Sequence, residues 1–245
     1  MRKLGLIGKN ISYSFSKSFF DEKFEAEKII DATYENFDIE NITSFPNIIN
    51  ENPTIKGLNV TIPYKELVIP YLDKLSKKAK KIGAVNTIKF NKSGKLIGYN
   101  TDCYGFKKAI KPHLKKYHKK ALILGTGGAS KAIAYALKKM NIKYSYVSRN
   151  KSNSKVLNYD KLNKEMIENH LVIINCTPLG TFPNIKGYPK IPYHAITQNH
   201  ILFDLIYNPK QTQFLKFGQE QNATTINGLK MLEYQAEKSW EIWNS

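Results

Sequence analysis

The stretch ALILGTGGASKAIAYAL, residues 121–137, constrains this chain more than any other. An aliphatic run ends at Gly125, the turn Gly125-Thr126-Gly127-Gly128 follows, and Ala129 opens an apolar-striped helical segment. A strand that feeds a helix through so tight a turn belongs to a parallel, right-handed crossover. The rest of the chain alternates in the same way. Strands are expected at 3–8, 32–38, 56–62, 121–125, 143–148, 171–176, 201–206 and 224–226. Helices are expected near 16–28, 42–50, 64–82, 102–117, 129–140, 160–169, 211–221 and from 229 to the end. Residues 86–90 and 95–100 read as two short strands joined by a turn at Asn91–Gly94. Such alternation implies parallel sheets covered by helices. The expected fold is therefore α/β in two domains. Residues 1–102 form one α/β domain. Residues 103–228 form a second, of the Rossmann type, where ligands sit at the carboxyl ends of the strands.

Glycines between a strand and a helix let backbone N–H groups approach a pyrophosphate at the positive helix end. The turn alone is weak evidence for a dinucleotide; set between a real strand and a real helix it becomes good evidence. The candidate phosphate contacts are Gly125, Gly127, Gly128 and Ala129. An NAD site of this type carries an acidic residue about 20 positions on, for the ribose 2′-hydroxyl. Here residues 103–159 contain no Asp or Glu, but 13 lysines and Arg149. Arg149 stands at the end of the next strand in Ser148-Arg149-Asn150-Lys151, where a 2′-phosphate would lie. NADP is the better reading.

The net charge of +18 invites a nucleic-acid partner, yet only Arg2 and Arg149 of the 38 basic residues are arginine. Base reading and bidentate phosphate contacts favour arginine, so the excess is generic lysine enrichment. No run reaches the roughly 18 apolar residues of a membrane span, and the first residues read as a strand rather than a signal segment. Cys103 and Cys176 lack CxxC spacing and the five histidines lack ligand spacing, so no disulfide framework or metal site is expected. These features suggest a soluble cytoplasmic protein without a nucleic-acid or membrane partner.

GLNVTIPYK, residues 57–65, ends a strand at a proline and then presents Lys65, in a position where binding groups often sit. GYNTD, residues 98–102, ends in Asp102, which serves equally well as a helix N-cap. A lysine and an aspartate at neighbouring strand ends make a proton-handling pair, which hydride transfer to or from a carbon–oxygen bond requires.

These stretches, in this order, resemble the shikimate dehydrogenase family over nearly the whole chain. The resemblance makes residues 1–102, with a returning helix at 229–245, the substrate domain and puts the active site in the cleft between the two domains. It makes Lys65 the catalytic lysine and Asp102 its partner. In GKNISYSFSKSFF it matches Ser14 and Ser16 to the serines that hold the substrate carboxylate. Thr61, Asn86 in IGAVNT, Tyr207 in LIYNP and Gln235 in NGLKMLEYQA match substrate contacts. Thr177 in INCTPLGT matches the loop beside the cofactor ribose, and Gly228 matches a cofactor contact. SRNK resembles the turn that binds the NADP phosphate. Asn10, Tyr13, Lys17 and Lys230 depart from the family's usual residues. The implied reaction is the reversible NADPH-dependent reduction of 3-dehydroshikimate to shikimate, by a monomer or homodimer acting on a small molecule. A quinate-type dehydrogenase keeps the same dyad with a changed pocket. A basic nucleic-acid-associated protein accounts for the charge but not for the dyad.

Overall fold

A computed structural model describes residues 1–12, 14–149 and 156–245. The chain forms two compact units, residues 1–101 with 235–245 and residues 102–234. The first unit contains β1 (Arg2–Gly8), α1 (Phe15–Ala26), β2 (Ala32–Asp38), α2 (Phe45–Glu51) and β3 (Ile55–Val60). It continues through β4 (Lys74–Leu75), α3 (Lys77–Ile82), β5 (Thr87–Phe90) and β6 (Leu96–Tyr99). Its sheet has the order β2-β1-β3-β5-β6-β4. β1 pairs parallel with β2 and β3, whereas β5 runs antiparallel to both β3 and β6. This sheet is therefore mixed rather than parallel throughout. The link from β5 to β6 is too short for a crossover helix. It is a turn in which Asn91 Oδ1 accepts from the Ser93 and Lys95 N–H groups at 3.0 and 2.8 Å.

The two longest internal helices expected are broken well short of the pattern, and that expected at 160–169 is α-helical only over Lys164–Asn169. Within 64–82 only α3 is α-helical, because Pro70 lacks an N–H to continue a helix and Ser76 caps a new start, accepting from Ala79 N–H at 3.1 Å. The helix beginning at Asp102 ends at Ile110, with Pro112 in the 3₁₀ turn that follows. The core on both faces of the first sheet is built by alternation. Leu4, Ile7, Phe20, Leu58 and Ile88 are fully buried, each worth roughly 1.5–3 kcal/mol of apolar transfer.

The second unit contains α4 (Asp102–Ile110), β7 (Lys120–Leu124), α5 (Gly128–Lys139), β8 (Lys143–Val147) and β9 (Val156–Leu157). It continues with α6 (Lys164–Asn169), β10 (Val172–Asn175), β11 (Ile201–Asp204), α7 (Gln213–Glu220) and β12 (Thr224–Ile226). α8 (Leu229–Trp243) starts here and ends in the first unit. There the Trp243 indole N–H donates to Ile88 O at 2.9 Å. The sheet order is β12-β11-β10-β7-β8-β9, and every pair is parallel. Chain order runs outward from β7 to β9, then returns to β10 and proceeds the other way. The reversal between β7 and β10 is the topological switch point where open α/β sheets place ligands. Among the described residues no helix is long and apolar enough to cross a membrane.

Candidate active site

One edge of the first sheet gathers the segments that sequence singled out. β1, β3 and β6 end there, and β5 begins there. The loop after β1 is held by Asp38, whose carboxylate accepts from Asn10 N–H at 2.8 Å and Ile11 N–H at 3.0 Å. Ser14 then caps α1, its hydroxyl oxygen accepting from Ser16 N–H at 3.2 Å. After β3, Thr61 N–H donates to Ile7 O at 2.9 Å. Lys65 follows in a turn fixed on both sides. Buried Tyr64 donates its phenol proton to Ile39 O at 2.7 Å, and Lys65 O accepts from Val85 N–H at 2.7 Å. A flexible side chain thus leaves from a rigid backbone, whose carbonyl is tied one residue away from Asn86.

Behind this edge lies a buried polar network. Asn86 Nδ2 donates to Thr101 Oγ1 at 2.9 Å and to Gln235 Oε1 at 3.1 Å. Asn59 Nδ2 donates to Asn86 O at 3.1 Å and to Ser239 Oγ at 3.0 Å. Asn59 Oδ1 accepts from the Tyr34 phenol at 2.9 Å. Burial pushes that phenol far up, with a hydrogen bond from Ser16 working against it. Ser16, Asn86 and Gln235 therefore share one network through residues that the sequence reading left out, namely Tyr34, Asn59, Thr87, Thr101 and Ser239. Asn59 was visible as an amide inside an aliphatic strand. Buried amides and hydroxyls persist only when paired.

In the second unit, Gly125, Ser148, Thr177, Tyr207 and Gly228 all follow the carboxyl ends of parallel strands. Gly125 has φ +104°, a left-handed conformation that suits glycine, and an added Cβ would lie 3.2 Å from Thr177 Cγ2. These two residues close the ends of β7 and β10, at the switch point. Gly127 caps α5 without a side chain, and the space its Cβ would take is open for 4 Å. Ala129 and Gly128 form the first turn of that 12-residue helix, which carries no acidic residue there. An open glycine cradle on an uncapped helix start fits a dinucleotide phosphate.

Thr177 is oriented from behind. Asn175 Oδ1 accepts from its N–H at 3.0 Å and its hydroxyl at 2.6 Å, while Asn175 Nδ2 donates to Asp204 Oδ1 at 3.0 Å. Asp204 is the lone acid in the apolar run ILFDLI, a signal the sequence reading passed over. Ser148 N–H donates to Leu157 O at 2.9 Å, and Arg149 is exposed just beyond it. Its charge reaches Tyr159, whose phenol burial pushes up to about 12 against the Arg149 field. Lys151 lies outside the described residues. Gly228 N–H donates to Ile206 O at 2.9 Å, beside half-buried Tyr207. Asp102 begins α4 and is buried. Burial, then the charges of Asp204 and Asp102, push the Cys176 thiol well above its ordinary range.

A switch-point glycine turn, with an arginine after the next strand and no acid there, defines an NADP-type α/β protein. Likeness to known proteins narrows this. A family model for the shikimate dehydrogenase substrate binding domain matches residues 6–88. The NADP(+)-dependent shikimate dehydrogenase of Clostridium botulinum (strain Hall) is 40% identical, over 99% of this chain and 96% of its own length. That of Methanococcus vannielii is 38% identical, over 98% and 90%. The crystal structure of shikimate 5-dehydrogenase from Thermus thermophilus, in complex with NADP(H) and shikimate, is similar with a TM-score of 0.86. It is 27% identical and covers 99% of this chain and 93% of that one. The chain belongs to the shikimate dehydrogenase family.

Proposed function

We propose that this chain catalyses the reversible NADPH-dependent reduction of 3-dehydroshikimate to shikimate, a step of the route to chorismate and the aromatic amino acids. It is an NADP-dependent oxidoreductase by family. The observation that carries the reading is the glycine cradle at the β7/β10 switch point, in a chain similar along 98% or more of its length to NADP-dependent relatives. When bound, the nicotinamide supplies the hydride for the ketone carbon. The residues of the chain do the rest.

Gly125, Gly127, Gly128 and Ala129 receive the pyrophosphate with backbone N–H groups, and Thr177 and Gly228 bound the cofactor's other side. Ser148, Arg149 and Lys151 take the 2′-phosphate. Guanidinium and phosphate meet through paired donors and acceptors, which favours NADP over NAD. Ser14 and Ser16 hold the substrate carboxylate, while Thr61, Asn86, Tyr207 and Gln235 contact the hydroxylated ring. Lys65 gives a proton to the carbonyl oxygen during reduction and recovers it during oxidation. Asp102 is the second acid–base group of this reading. Residues 1–102 with 229–245 act as the substrate domain and 103–228 as the NADP domain. The reading also implies a cytoplasmic enzyme that works as a monomer or homodimer.

The test follows NADPH absorbance after 3-dehydroshikimate is added to the purified protein, and NADP reduction after shikimate is added. Turnover in both directions is expected, with quinate a poor substrate. No turnover, or faster turnover with quinate, overturns the reading.

A further inference from the structure

The hydrogen-bond directions around Gln235 follow from one group that cannot be reversed. The backbone N–H of Thr101 can only donate, and it meets Asn86 Oδ1 at 2.7 Å. The Asn86 amide is thereby oriented, and its Nδ2 must face the other way, toward Thr101 Oγ1 and Gln235. An NH₂ group needs an acceptor, so Gln235 meets it with Oε1. The Thr101 hydroxyl reaches the same oxygen at 3.3 Å. A second backbone group orients the neighbouring amide. Asn86 O can only accept, so Asn59 presents Nδ2 to it and also to Ser239 Oγ. Ser239, fully buried one turn beyond Gln235 on α8, donates to Gln235 O at 2.9 Å and lies 3.2 Å from Thr101 Oγ1. Gln235 itself is 7% exposed. Its bonds to Asn86 and Thr101 both run through Oε1, which leaves Nε2 as the end of the amide that faces away from them.

We propose that Thr101 is a positioning residue that holds the Gln235 oxygen inward, so that Gln235 meets its ligand only as an N–H donor. The proposal rests on the substrate-site reading of Gln235 and sharpens it. The atom recognised is an acceptor oxygen on the hydroxylated ring, and the preference is set by a residue that does not touch the ligand.

A kinetic cycle tests this with T101V, Q235A and the double T101V/Q235A, with T101S and Q235E as controls. Losing one orienting hydrogen bond should raise KM for the ring substrate by about tenfold. kcat and KM for NADPH should stay within about twofold, because the chemistry and the cofactor contacts are untouched. T101S, which restores the hydroxyl, should bring KM back. In the Q235A background T101V should become nearly silent, since its target is gone. Q235E keeps an inward acceptor but loses the outward donor, so its KM should rise at least as far as in Q235A. Thermal melting confirms folding; if T101V does not fold, T101A and Q235E carry the test. Equal effects with and without Gln235, a kcat loss in place of the KM rise, or wild-type affinity in Q235E overturns the proposal. An inactive wild type overturns the functional reading instead, which separates the two failures.

Discussion

Asp204 is a carboxylate kept dry behind the loop that follows β10, and replacing it with asparagine should change how stability depends on pH. The side chain is fully buried. Oδ1 accepts from Asn175 Nδ2 at 3.0 Å and Ile206 N–H at 3.1 Å, and Oδ2 accepts from the Thr212 hydroxyl at 2.6 Å. Burial raises its pKa from 3.8 to about 7, although these three donors pull it down. The folded protein therefore holds a proton that the unfolded chain releases near pH 4. Stability from this group is fully present below that point and is lost as pH rises through about 7. A shift of about 3 units is worth at most ~4 kcal/mol, of which about 2–3 kcal/mol falls between pH 5 and pH 8.

Buried His118 and His200 and half-buried His170 act in the opposite sense. Desolvation lowers each pKa, so their contribution is present above about pH 6.5 and lost as pH falls. The raw pH profile of the wild type mixes these effects. The difference between wild type and Asp204→Asn isolates the aspartate, because the histidines are common to both. Urea unfolding followed by circular dichroism, at steps from pH 5 to pH 8, gives that difference directly. The stability of wild type relative to the variant should fall steadily across the range. Parallel curves would refute the reasoning and mean that Asp204 is ionised throughout.

Lys65→Ala should lower kcat by about 10²–10⁴ while leaving NADP affinity in a direct titration unchanged; near-normal turnover would make Lys65 an ordinary surface lysine. The double substitution of Ser14 and Ser16 by alanine should raise KM for shikimate strongly, since each hydrogen bond to a charged group is worth about 1.5–3 kcal/mol. An unchanged KM would put the carboxylate elsewhere. Arg149→Ala should weaken NADP by roughly 10- to 150-fold and leave NAD nearly unaffected, as measured by titrating both cofactors; equal weakening of the two would contradict the 2′-phosphate assignment. Gly228→Ala places a Cβ 2.6 Å from the Leu205 carbonyl carbon. A backbone shift costing about 1–3 kcal/mol should follow, seen as a lower melting temperature.

Much of the architecture was legible in local pattern. The glycine turn after Leu124, the alternation of aliphatic strands with amphipathic helices, and the arginine without a nearby acid all express short-range rules. Steric freedom at Gly125, side-chain periodicity and the charge of one strand end are properties of neighbouring residues, so they can be read before folding. Prolines were legible too but were underweighted. Pro70 and Pro112 lie where the expected helices stop or break, because a missing N–H acts locally whatever the apolar stripe suggests.

Other features were decided only when distant segments met. Asn59 and Ser239 are 180 positions apart and bond at 3.0 Å, and Asn175 reaches Asp204 across 29 residues. Nothing in the flanking residues states that these partners exist, since a buried polar group is tolerated only after tertiary contacts supply its hydrogen bonds. The same holds for direction. Sequence offers Gln235 two equivalent ends, an oxygen and an NH₂, and only the irreversible donor at Thr101 N–H, passed on through Asn86, determines which end turns outward. Periodicity and turn chemistry placed the backbone edges of the site, whereas the tertiary fold alone set the polarity of the groups along them.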